Sequence, residues 1–156
     1  MNRLATYLND HLAGSTTGRE LAKRALGSNR GTEFEPFLEW LVVQIDEDRE
    51  SLIGIMRALE APQDHVKKLA AFALERVGRL KLNGSLFSYS PLSRLVELEA
   101  LTLGVTGKLA GWRALQQVGD PRLEAFDLEV LAQRALEQQQ RLEEKRREAA
   151  RLALVE

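Results

Sequence analysis

The sequence predicts an all-α helical bundle. Apolar residues recur at spacings of three and four through most of the chain, and the alternation typical of strands is not sustained anywhere. The four prolines fall where helices should begin. Very short turns join two pairs of long predicted helices, and one long connection lies between the pairs. This connectivity predicts a ferritin-like four-helix bundle with an additional crossover helix.

The composition is that of one globular domain spanning residues 1–156. The net charge is −1, with 44% hydrophobic and 29% charged residues, and this length suits a single core. The near-neutral charge does not favour nucleic acid as a partner. The absence of cysteine excludes thiol catalysis, thiolate metal sites and disulfides. Because the chain has neither a signal-peptide pattern nor an apolar run of ~18 residues, we expect a cytoplasmic protein without a membrane partner.

The first two predicted helices form one hairpin. The first covers about 2–27 and ends in "GSNRG" (27–31), whose glycines are typical of a helix end. The second covers about 32–59 and is expected to begin with a capping box, because Thr32 and Glu35 have the required spacing. Since the turn between them is short, the two helices should be antiparallel.

The rest of the chain predicts a crossover and a second hairpin. A shorter helix over about 62–81 and a loop return the chain along the bundle, and the next long helix covers about 91–118. A tight "GDP" break precedes the last helix, which is expected to begin at Pro121. Its final part, about 138–156, has few apolar residues and dense opposite charges. This part is either a solvated helix extension or a surface that pairs with a second copy in a homodimer.

The stretches "YLNDHLAGS", "RLKLNG" and "SYSPLSRLVELEALTLGVTGKLAGWRAL" are similar to those of an uncharacterised family of bacterial proteins with a ferritin-like helical bundle. The resemblance covers most of residues 1–118. It implies a fold and a bacterial source, and it implies no activity.

A dimetal site of the ferritin type needs the motif Glu-x-x-His on two helices, because residues three apart share a helix face. The chain has two histidines, His11 and His65, and neither follows a glutamate at that spacing. A site for iron or manganese with altered ligands therefore stays an alternative. Its candidate ligands are His11, Glu47, Asp48 and Glu99.

A charged stretch, "DEDRE" (46–50), interrupts the apolar second helix, and Asp48 is its member in phase with the apolar stripe. Counting outward from the turns places Asp48 level with His11 on the first helix and Lys108 on the fourth. A buried carboxylate needs a partner. We therefore expect a polar core layer of His11, Asp48 and Lys108 that neutralises its own charge and fixes helix alignment. A lysine in this layer would also repel a metal ion.

Five glycines interrupt the apolar stripes of the first and fourth helices. Because a glycine inside a helix costs about 1 kcal/mol relative to alanine, they indicate either close helix packing or a cavity. Trp40, Trp112 and Arg113 could line such a cavity. The glycines are Gly14, Gly18, Gly104, Gly107 and Gly111.

The sequence supports two classes of function. The preferred one is a non-catalytic protein with a binding or structural role, a buried polar layer and no cofactor. The alternative is a ferritin-like metal-binding protein, either an oxidoreductase or a metal store, with altered ligands. The chain contains no nucleophile elbow, phosphate loop or dinucleotide fingerprint, so catalysis is not the expected role.

Overall fold

A computed structural model describes residues 2–63, 71, 75 and 88–155. Nearly all of this part of the chain is helical, and it contains no strand, so the all-α prediction is confirmed. A short 3-10 helix over Pro121–Ala125 precedes the last long helix. The long helices are α1 (Arg3–Ser28), α2 (Glu35–Ala58), α3 (Pro91–Leu115) and α4 (Leu128–Leu154).

Contacts along the first hairpin show that α1 and α2 are antiparallel. Arg19 in the second half of α1 pairs with Asp46 in the middle of α2. Asn9, nearer the start of α1, donates its side-chain amide to the carbonyl oxygen of Pro62, just after α2, at 2.8 Å. Residue numbers therefore fall on one helix as they rise on the other, as the short turn predicts.

Side-chain contacts also place the other two helices. Gln139 donates to Thr106 at 2.8 Å, and Gln116 donates to Glu129 at 3.0 Å, so α3 and α4 are antiparallel as well. The guanidinium group of Arg141 on α4 lies 3.6 Å from the ring centre of Trp40 on α2. Helix α1 packs beside both α2 and α3, which leaves α2 facing α3 across the core.

The connection between the two hairpins joins opposite ends of the bundle. It leaves α2 beside the start of α1, where Pro62 meets Asn9. It re-enters beside the end of α1, where the Tyr89 hydroxyl accepts a hydrogen bond from Asn29 at 2.8 Å. The predicted crossover helix over about 62–81 and the second histidine, His65, lie almost wholly outside the described residues.

Buried side chains form two apolar clusters, one in each half of the bundle. Ile45 belongs to one cluster and Leu52 to the other, so the level of Asp48 separates them. Burial of apolar surface in both halves is the main stabilising contribution. The largest fully buried members are Phe34, Leu38, Leu41, Leu98 and Leu142 in one cluster, and Leu8, Leu12, Ile55 and Met56 in the other.

The beginning of α2 differs from the predicted capping box. The helix begins at Glu35 rather than after Thr32, although Thr32 Oγ1 still accepts a hydrogen bond from the N–H of Phe34 at 3.2 Å. Glu35 instead accepts a hydrogen bond from the backbone N–H of Gly31 at 2.7 Å, which closes the turn itself. A capping box is present at α3, where the Ser90 and Ser93 side chains bond each other's backbone N–H groups.

The last long helix begins later than predicted, at Leu128 instead of Pro121. Asp127 caps it by accepting a hydrogen bond from the N–H of Val130 at 2.9 Å. With 27 residues, α4 is about as long as its neighbours. Leu142 and Ala149 of the charged final part are fully buried, so this part packs in the bundle along much of its length. The homodimer stays a prediction.

No helix in the described ranges combines the length and the apolar character needed to cross a bilayer.

Candidate functional site

The polar layer at mid-height is built by three helices. Lys108 on α3 donates from Nζ to Oδ2 of Asp48 on α2 at 2.6 Å, and also to Oε1 of Gln138 on α4. Gln138 completes the group by donating from Nε2 to the same Asp48 oxygen at 2.8 Å. Asp48 and Gln138 are 2% and 0% exposed, so these contacts replace water almost completely.

A second cationic side chain lies next to the other carboxylate oxygen of Asp48. Arg134, one turn before Gln138 on α4, lies 3.3 Å from Asp48 Oδ1 and 2.6 Å from Glu47 Oε2. Glu47 itself is exposed. The charge of Asp48 is therefore offset by Lys108 and Arg134, and the charge of Arg134 by Glu47.

Burial changes the pKa of the lysine in this layer. Removal from water lowers the pKa of Lys108 below its ordinary value, and the adjacent Asp48 carboxylate opposes part of that shift by favouring the ammonium form. The arrangement resembles other buried ion pairs, in which desolvation cancels much of the Coulomb attraction. We therefore expect the layer to fix the helix alignment more than it adds stability.

His11, the third predicted member, makes no hydrogen bond or ion pair with Asp48 or Lys108. The α1–α2 turn spans more residues than the prediction assumed, because α1 ends at Ser28 and α2 begins only at Glu35. Asp48 therefore lies nearer to Gly18 than to His11 along α1, as the Arg19–Asp46 pair shows. His11 therefore lies beside the same cleft but outside the hydrogen-bonded layer, next to Gly111 of α3.

His11 packs instead between Tyr7 and the backbone of α3. Its ring meets the Tyr7 ring edge-on at 4.5 Å between centres. A methyl group on Gly111 would lie 2.8 Å from His11 Cε1, so this glycine makes room for the imidazole. Burial lowers the pKa of His11 below its ordinary value, although Asp10 opposes the shift. The imidazole is therefore neutral at pH 7.

The four candidate metal ligands do not converge. Glu47 pairs with Arg134, while Glu99 is exposed on α3 and lies 3.7 Å from Arg146. Within the described ranges, no group of three His, Asp or Glu side chains is arranged to hold a metal ion. The two cations beside Asp48 would also repel a metal ion there.

A cleft of about 390 Å³ opens between α1 and α3, with α2 as its floor. All five glycines predicted to allow close packing or a cavity line it. A methyl group added at four of them would meet no atom within 4 Å, so at these positions the helices are not in close contact. The cavity interpretation therefore describes the glycines better than close packing does. The four open positions are Gly14, Gly18, Gly104 and Gly107.

The walls of the cleft are mostly apolar, but three polar side chains that line it have buried atoms without a hydrogen-bond partner among the described residues. These atoms are Asp48 Oδ1, Arg49 Nε and Trp112 Nε1. Leaving such a group unpaired away from water costs about 1–3 kcal/mol. Trp112 is 3% exposed, so its indole N–H has little access to solvent from outside the cleft. Several unpaired polar atoms around an apolar cavity are typical of a ligand site.

The other side chains predicted to line a cavity lie elsewhere. Trp40 stacks under Arg141 on the opposite side of α2, and Arg113 is exposed. The residues around Trp40 and Arg113 do not indicate which way these two side chains point. Trp112, in contrast, has the same phase as the buried Leu109 and Leu115 of α3.

A second polar cluster, which the sequence did not predict, joins α1 to α3 near the end of α1. Glu97, 4% exposed, accepts hydrogen bonds from Arg24 at 3.0 Å and from the Tyr89 hydroxyl at 2.8 Å. The buried Asn29 donates to Tyr89 and accepts from Arg94. The sequence pattern could have predicted that Glu97 is buried, because it lies between Leu95 and Leu98 in the apolar phase of α3.

Comparison of the chain with protein-family models, with curated proteins and with solved structures finds no match. The resemblance to a ferritin-like bacterial family therefore stays an expectation, and the function has to be inferred from the geometry of the chain itself.

Proposed function

We propose that this protein binds a small, largely apolar molecule in the cleft between α1 and α3, without transforming it. The observation that carries the proposal is the cleft of about 390 Å³, in which buried polar atoms of Asp48, Arg49 and Trp112 make no hydrogen bond to any described residue. Such a volume suits a small organic molecule. A bound molecule would replace water against the apolar walls and could pair these atoms.

In this proposal the polar layer is structural. Lys108 and Arg134 already supply the positive charge that Asp48 needs, so the layer requires no metal ion to be stable. The metal-binding alternative predicts stoichiometric iron or manganese in protein purified without chelator. Elemental analysis measures this directly, and metal that is lost in an Asp48→Ala variant would favour the alternative.

We also propose the ferritin-like arrangement for the bundle. Its support is the antiparallel pairing within each hairpin and a long connection whose two ends lie at opposite ends of α1. Such a connection is the feature that separates ferritin-like bundles from bundles with short loops only.

The binding proposal can be tested with N-phenyl-1-naphthylamine, a neutral dye that fluoresces when it enters an apolar site. We expect the wild-type protein to enhance its emission in a saturable way. Gly104→Leu and Gly14→Leu place a side chain on opposite walls of the cleft, and a Cβ at either position meets no atom within 4 Å, so each should weaken dye binding about tenfold or more.

The matched control is Gly27→Leu, because Gly27 is exposed on α1, lies outside the cleft and also has open space around it. This variant should bind the dye as the wild type does. Circular dichroism checks that all variants remain helical. Absence of saturable enhancement, or equal binding by all three variants and the wild type, would contradict the proposal.

A further inference from the structure

The floor of the cleft contains Asp48, and one oxygen of its carboxylate accepts no hydrogen bond from the described residues. Asp48 Oδ2 accepts from both Lys108 and Gln138, whereas Oδ1 accepts no hydrogen bond from the part of the chain that the structure describes. Arg134 lies 3.3 Å from Oδ1, but it does not form a hydrogen bond with it. Arg134 thus offsets the charge of Oδ1, and because Asp48 is 2% exposed and lines the cleft, a donor group in the cleft could supply the hydrogen bond that Oδ1 lacks.

The next residue along α2 contributes an unused donor. Arg49 lines the cleft, and its buried Nε has no acceptor within residues 2–63 and 88–155. Its ion pair is to Glu50 at 3.8 Å, too long for a hydrogen bond. The floor of the cleft thus presents an acceptor and a donor on consecutive residues.

The charges around these two atoms discriminate between head groups. An ammonium group could donate to Asp48 but would meet Lys108 and Arg49, which are both positive. A carboxylate could accept from Arg49 but would bring its own lone pairs against Asp48 Oδ1, which needs a donor. A neutral group that both donates and accepts pairs both atoms and adds no charge to a poorly hydrated site.

We propose that the molecule bound in the cleft is a neutral amphiphile whose polar end both donates and accepts hydrogen bonds, as a primary carboxamide does, and that this end lies against Asp48 and Arg49. The inference rests on the proposed function and names the class of ligand. The apolar part of the molecule then extends along the walls formed by Leu8, Leu101 and Val105 toward the open glycines.

Four probes with the same eight-carbon chain test the head group, namely octanamide, octanoate, octylamine and methyl octanoate. Their binding to the wild-type protein is measured directly by isothermal titration calorimetry at pH 7.5. The methyl ester accepts but cannot donate, so it isolates the contribution of the bond to Asp48. We expect octanamide to bind about tenfold or more tightly than each of the other three.

A variant pair tests the position of the head group. Arg49→Met keeps an unbranched side chain but removes the donor, so it should weaken octanamide binding about tenfold, much more than it changes the affinity for N-phenyl-1-naphthylamine. Arg57→Met is the matched control, because Arg57 is exposed on the same helix and does not line the cleft. It should change neither affinity.

The inference is overturned if octanoate, octylamine or the ester binds as tightly as octanamide, if none of the four probes binds, or if Arg49→Met leaves octanamide binding unchanged. In those cases, dye binding to the wild type that is weakened by Gly104→Leu would still support the cleft as an apolar site. The failure of this inference is therefore distinguishable from the failure of the proposed function.

Discussion

Lys108 Nζ lies 2.6 Å from Asp48 Oδ2, and this ion pair joins α3 to α2 across the core. It lies between the two apolar clusters, with Gln138 of α4 bonded to both partners. Three helices therefore meet at one buried carboxylate. The alignment of these helices depends on its charge being matched.

Removing only the carboxylate should be more damaging than removing the whole layer. Asp48→Leu leaves the Lys108 ammonium buried without a counterion and should lower the free energy of unfolding by about 3–5 kcal/mol. The triple variant Asp48→Leu, Lys108→Met, Gln138→Leu should recover at least half of this loss, about 2 kcal/mol. Urea unfolding measures both. Adding His11→Leu to Asp48→Leu is the control and should recover nothing, since His11 does not contact the layer.

The Tyr89 hydroxyl should stabilise the second polar cluster. Tyr89→Phe removes a hydrogen bond to the buried Glu97 carboxylate and one from Asn29, so it should lower the free energy of unfolding by about 1–2 kcal/mol. Tyr7→Phe is the matched control, because no hydrogen bond of the Tyr7 hydroxyl is present in the described part of the chain. Thermal and urea unfolding should show almost no change for the control. An equal effect of both substitutions would contradict the assignment.

Alanine substitutions at the glycines of α3 should change the free energy of unfolding in opposite directions. Gly104→Ala and Gly107→Ala enter open space and should raise the free energy of unfolding by about 0.5–1 kcal/mol each, because alanine favours the helix. Gly111→Ala should be destabilising, since its methyl group would press on His11. A double-mutant cycle with His11→Ala checks the cause. We expect the cost of Gly111→Ala to disappear in the His11→Ala background, and a cost that persists would place the clash elsewhere.

The pH dependence of the free energy of unfolding should show the contribution of the buried His11. Burial lowers its pKa in the folded protein, so below the unfolded value of about 6.5 the unfolded chain binds more protons than the folded one. The full contribution is present above that value, and stability is lost as the pH falls from it toward the folded pKa. Urea unfolding from pH 8 to pH 5 should therefore show a steeper loss for the wild type than for His11→Gln. Parallel curves would mean that His11 is not desolvated.

Much of the fold follows from local sequence patterns, whereas the position of the site residues along the bundle axis does not. The phase of Asp48 with Ile45 and Leu52 predicted its burial, and the connectivity brought Lys108 to the same level. His11 was misplaced because the turn after α1 is longer than its glycines indicate. An error of a few residues in one turn is carried along the whole helix.

Other members of the site were missed for a different reason. Gln138 stands in a run of three glutamines that looks like solvated surface, although its spacing from Ala135 and Leu142 has the buried phase of α4. The unpaired atoms of Arg49 and Trp112 depend on which way each side chain turns. Such directions are set by packing between helices, which a single sequence does not encode locally.

Glu97 and Lys108 both belong to α3, where they lie eleven residues apart, about 16 Å along the axis. Their partners are on different helices, Arg24 on α1 and Asp48 on α2. A shear of α3 by one turn, about 5.4 Å, would break both buried pairs at once. The mouth of the cleft therefore cannot widen by sliding of α3 along its axis, and only a tilt of α1 and α3 away from each other would open it further.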